Sequence, residues 1–140
     1  MTDVSRLFAD LKDVASAINQ QSDQLNQRIT IIEKSLFDLR LGFTFWMSAS
    51  LDGTSEDGDH TNLGWTGHGG DWGLYVRTYR QDIDDFVNVH RLRDASREYR
   101  LLALKAMPTF LVELKAEAER VLKVLQEANR DGVLRTPLKA

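Results

Sequence analysis

A seven-residue recurrence of apolar side chains, Val4, Leu11, Ile18, Leu25, Ile32 and Leu39, constrains this chain more than any other feature. Leu7 and Val14 fill the intermediate positions of its first half, and Ile29 and Leu36 those of its second. An apolar stripe at that period marks an amphipathic helix that needs something along its seam. No Gly or Pro lies between Met1 and Arg40, so the residues that most easily break a helix are missing. One continuous helix is therefore expected over residues 1–40, about 55 Å long at roughly 1.5 Å per residue. Asp3 is its candidate N-cap. Gln21 sits where the heptad calls for an apolar residue, inside the polar run 19–24, and a helical hairpin broken there is the alternative.

The seam also drifts. Its intermediates fall three residues after Val4 and Leu11 but four after Leu25 and Ile32. A straight helix of 3.6 residues per turn moves in this way against a 3.5-residue repeat. The two halves are thus expected to meet different neighbours, one half a partner helix and the other the body of the domain.

Beyond Arg40 the period changes. Leu41, Phe43, Phe45, Met47 and Ala49 alternate with Gly42, Thr44, Trp46, Ser48 and Ser50, which is strand spacing with Trp46 the exception on the polar face. Residues 52–62 read as an acidic loop, and 63–67 as a short strand. Residues 68–71 supply hairpin turn chemistry through Gly69 and Gly70. Residues 72–80 form the most strand-like stretch, with Trp72, Leu74 and Val76 on one face and Tyr75, Arg77 and Tyr79 on the other. Residues 86–92 complete an antiparallel meander of three to four strands over 41–92.

Asp94 is expected to cap a helix running to Ala106, with Pro108 in the first turn of a second one. Met107, Leu111, Leu114, Ala118, Val121, Leu125 and Ala128 make a second heptad seam within the helical segment 94–131. Gly132 is its C-terminal stop, and 133–140, with Pro137, are a tail. The fold class is α+β: a long N-terminal helix, a central meander and two C-terminal helices in one domain, 1–140. Two copies of the paired seams would close into an oligomeric bundle.

Composition narrows the function. A chain of 140 residues buries roughly two-thirds of its unfolded surface, enough for a core without staples. No cysteine is present, which removes disulfides, thiolate metal sites and cysteine nucleophiles. The first residues enter an amphipathic helix with no basic, then apolar, leader pattern, and no apolar run reaches membrane-spanning length. A cytoplasmic location is expected.

Six of the twelve arginines fall between residues 77 and 100, and Arg93, Arg97 and Arg100 are spaced for one helix face. Guanidinium forks suit phosphate and carboxylate, and Trp65, Trp72, Tyr75 and Tyr79 offer ring faces. The same stretch holds Asp82, Asp84, Asp85, Asp94 and Glu98, which can pair with these arginines without any ligand. A nucleic-acid duplex is disfavoured by the acidic loop and the net charge of −3. The glycine-rich run 64–70 lacks the lysine ending of a phosphate loop, and no histidine or aspartate spacing matches a zinc or calcium template. No catalytic residue, metal ligand or cofactor is assigned.

The reading is a non-catalytic homo-oligomeric binding protein that captures a small anionic, nucleotide-like ligand. Arg77, Arg93, Arg97, Arg100, Trp72 and Tyr79 are its expected site. The alternative is a protein–protein adaptor or inhibitor that uses the helical seams or the aromatic sheet face.

Overall fold

The N-terminal heptads fold as one helix, α1 (Val4–Leu39), with no break at Gln21. Asp3 caps it by accepting the Ser5 N–H at 2.9 Å. Arg40 ends it in the left-handed conformation, its N–H donating to the Phe37 carbonyl. A computed structural model describes residues 3–53 and 58–130. Gly132, the tail 133–140 and the centre of the expected acidic loop lie outside them.

Four antiparallel strands follow in sequence order: β1 (Phe45–Trp46), β2 (His60–Thr66), β3 (Gly73–Arg80) and β4 (Asp85–Arg91). A tight turn, His68–Gly70, joins β2 to β3, and Gly69 and Gly70 take there the positive φ that their lack of a Cβ permits. The expected strand over 41–51 is regular only at Phe45 and Trp46. Beyond them the chain stays beside β2, because Met47 N–H donates to Leu63 and Leu51 N–H to Thr61. The Asn62 side chain donates to the Met47 and Ala49 carbonyls, so a side chain replaces ladder bonds on this edge. Strand β2 begins earlier than expected, at His60, which shortens the loop read over 52–62. Between β3 and β4 the register slips at Val76 and Thr78, and Asn88 takes a positive φ of 54° in the extra residues of β4.

The C-terminal segment is one helix, α2 (Arg97–Arg130), not two. Proline in a helix interior costs about 3 kcal/mol, so a break at Pro108 was the expected solution. Packing overrides it. Ala103, Met107, Phe110 and Leu114 are buried along one face of α2, continuous across the proline. Pro108 itself is exposed, on the side where the carbonyl it leaves free can turn towards water. Nor does Asp94 cap this helix. It ends a tight turn, Leu92–Asp94, fixed by buried Leu92 and Ala95, and Ser96 takes the cap position, its Oγ accepting the Tyr99 N–H.

Residues opposite one another in a ladder share a face. Phe45, Trp65 and Leu74 point one way with Leu63 and Val76, and both helices cover them. Ile29 and Leu36 of α1 and Phe110 of α2 close this core, the Phe45 and Phe110 rings lying 5.6 Å apart. The two helices run in the same sense. Val14 and Ile18 share a hollow with Arg97 and Leu101, Asn26 bonds Arg100, and Leu36 and Leu39 share a groove with Leu111, Leu114 and Ala118. In consequence the turns of α1 before Val14 project past the start of α2, and the last turns of α2 project past the end of α1.

An ionic tie joins α1 to the sheet. Glu33, buried on α1, accepts from Arg91 Nη2 at 2.8 Å and from the Leu74 N–H at 2.9 Å. The last β3–β4 pair is Tyr75 with Arg91, so Glu33 caps a strand N–H that has lost its neighbour. Asp71 engages Arg91 Nη1. Burial alone would lower the pKa of Arg91, but hydrogen bonds and charge from Glu33, then Asp71, raise it overall. Gly73 makes room, since a Cβ there would collide with both Glu33 and Arg91. Among the described residues no helix is long and apolar enough to cross a membrane.

Candidate functional site

The face of the sheet turned away from the helices carries Trp46, Asn62, Tyr75, Arg77, Tyr79, His60 and Phe86, as the strand register dictates. Gly64 lies at its centre, and a Cβ there would strike the Trp46 indole, so the missing side chain lets that ring lie down on the sheet. Arg77 is then clamped. Its guanidinium carbon sits 4.0 Å from the Trp46 ring centroid and 3.8 Å from that of Phe86. Beside the clamp, Tyr79 meets Phe86 edge-on at 5.4 Å and stacks with His60 at 5.0 Å.

The charges here are unevenly matched. Arg77 Nε is sealed from solvent without a hydrogen-bond partner among the described residues. Burial pushes the Arg77 pKa below its ordinary value. The neighbouring acids are engaged elsewhere: Asp82 with Arg80, Asp84 with the Tyr79 hydroxyl, Asp85 with the Phe86 N–H and Asp59 with the Gln81 N–H. The bond to Asp84, followed by burial, raises the pKa of Tyr79.

The six residues expected to form one site fall in different places. Arg77 and Tyr79 share the open face. Trp72 packs 6.1 Å from Trp65 and lines a hollow of about 290 Å³ with Phe37, Arg40 and Leu41. Arg100 belongs to the helix pair, where Nη1 donates to Asn26 at 2.6 Å. Arg97, one turn earlier, lines an apolar hollow of about 490 Å³ with Val14, Ile18 and Leu101 of the helices. Arg93 is exposed on the turn before α2. The helical spacing that grouped 93, 97 and 100 does not apply to Arg93, because α2 starts only at Arg97.

Two residues of the clamp were not on the expected list. Trp46 had a signal, as the one aromatic on the polar side of an alternating stretch. Phe86 had none, since its partner Tyr79 is set by strand register. Among the described residues no cluster of three or more His, Asp or Glu side chains converges on a metal-sized site. Comparison with protein-family models, curated proteins and solved structures gives no match to this chain.

Proposed function

We propose that the chain is a non-catalytic, self-associating binding protein, assembled through its helical seams and receiving a small anion on the open sheet face around Arg77. The observation that carries the assembly is the uncovered first half of α1. Val4, Leu7, Leu11, Val14 and Ile18 of the heptad seam, with Phe8 at its flank, are between 42% and 67% exposed. Full burial of such a side chain is worth up to about 1.5–3 kcal/mol. Two copies covering six each gain enough to offset an association cost of roughly 4–15 kcal/mol. Leu122 and Leu125, three residues apart at the far end of α2, add a second uncovered patch.

Size-exclusion chromatography with light scattering tests the assembly. The wild-type chain is expected to run as a dimer or larger species at micromolar concentration. Leu11→Asp, which places a charge mid-seam without touching the core, is expected to yield a folded monomer. A monomeric wild-type chain rejects the self-association.

A second reading has its own observation. Trp, Tyr and Arg are the residues enriched where protein interfaces concentrate their affinity, and the open face presents Trp46, Arg77, Tyr79 and Phe86 together. On that reading the face docks a protein partner. The seam does not distinguish the two, because a self-associated chain can display the same face in either case.

A further inference from the structure

Arg77 differs from Arg91 and Arg100 in having no hydrogen-bond acceptor among the described residues, although the Nε of all three lacks a partner. Arg91 has two carboxylates and Arg100 has the Asn26 carbonyl oxygen. Arg77 has two aromatic rings, no hydrogen bond and no ion pair among the described residues. A ring quadrupole attracts a cation but supplies no acceptor for its N–H groups. The cation is therefore held and oriented while its hydrogen-bonding capacity stays unused.

The way it is held decides what can use it. Two ring centroids already lie within 4.0 Å of the guanidinium carbon, so its π contacts are taken by Trp46 and Phe86. Nε is sealed, so the donors left to a ligand are those of the two terminal nitrogens. Two parallel N–H groups in one plane match the two oxygens of a carboxylate. Around the clamp, Asp59, Asp82, Asp84 and Asp85 crowd the β3–β4 end, so a second negative charge on the ligand meets repulsion that a single one largely avoids.

We infer that the Arg77 clamp is a binding site for a single carboxylate group on a small organic molecule, gripped edge-on by the two terminal nitrogens, with the rims of Trp46 and Phe86 against the ligand's apolar part. This rests on the small-anion reading above and narrows it, since a nucleotide would need both a free ring face and tolerance for several charges.

Three probes of one shape separate the possibilities on the wild-type chain: benzoate, its neutral isostere benzamide, and phenyl phosphate. The readout is the Arg77 Nε–H resonance, which a sealed position protects from exchange with water. Benzoate is expected to shift it saturably, benzamide to leave it unmoved at the same concentration, and phenyl phosphate to bind more weakly than benzoate. Trp46 fluorescence follows the same titrations in Arg77→Gln, where benzoate affinity is expected to fall by about tenfold or more, the loss of a charge-assisted pair. Arg97→Gln, which removes the same charge from the helix pair, is expected to leave affinity within about twofold. Equal responses to benzoate and benzamide, or unchanged affinity in Arg77→Gln, overturn the site. Tighter binding of phenyl phosphate overturns the carboxylate and leaves the small-anion reading standing. Silence from both anions removes both.

Discussion

Arg91 and Arg77 stand on neighbouring strands of one sheet, and the fold treats their charges in opposite ways. Arg91 is only 15% exposed and lies between a nearly buried Glu33 and the surface residue Asp71, so its charge is neutralised inside the structure. Arg77 is also partly withdrawn from water, but its neighbours are rings, and the acids at the β3–β4 turn bond to other groups. The first arrangement ties elements together, since Glu33 on α1, Arg91 on β4 and the Leu74 N–H on β3 meet at one carboxylate. The second ties down only one side chain. A neutralised interior charge ties the fold together, whereas the charge of Arg77 is the one the proposed anion would use.

Removing the cation tests the contrast most severely at the first position. Arg91→Leu leaves the Glu33 carboxylate buried without a counter-charge, and breaking one side of such a pair costs about 3–5 kcal/mol. Chemical denaturation should show a loss of that size, with Asp71→Asn, at a group 70% exposed, costing less than about 1 kcal/mol. A small loss in Arg91→Leu would mean that Glu33 is served by water and that the tie is not structural.

Gly73→Ala comes next in size. Its backbone is an ordinary strand, so the effect comes entirely from the space its hydrogen leaves for Glu33 and Arg91. Overpacking of this kind costs about 1–3 kcal/mol. The double variant Gly73→Ala with Arg91→Leu should lose less than the sum, because the clash partly disappears with the arginine. Additive losses would place the strain elsewhere.

What could be read from the chain beforehand follows the range of the interactions. The long helix was legible because thirty-six residues without Gly or Pro repeat one local rule. The sheet was legible because alternation is local too. Pro108 misled because its cost is local while the burial of Met107 and Phe110 that overrides it comes from the sheet. Glu33 and Arg91 lie 58 residues apart, and no spacing in the sequence announces their pairing. The placement of the expected site residues follows the same rule. Arg77 and Tyr79 alternate on one strand and so share its outer face, whereas Arg97 and Arg100 share a helix whose partner is α1.

The smallest expected effect is the most telling one. Arg77→Leu removes two cation–π contacts, worth about 0.5–2 kcal/mol each at a partly exposed site. It also removes the cost of keeping a charged group away from water with Nε unpaired, about 1–3 kcal/mol. Leucine still fills much of the space between Trp46 and Phe86. The two terms nearly cancel, so stability should change by no more than about 1 kcal/mol, in contrast to the loss at Arg91 for the same substitution. If Arg77→Leu instead unfolds the chain as readily as Arg91→Leu, the rings and the guanidinium form a structural clasp, and the unneutralised charge no longer points to a ligand. A near-neutral outcome leaves the arginine without a structural purpose strong enough to explain it.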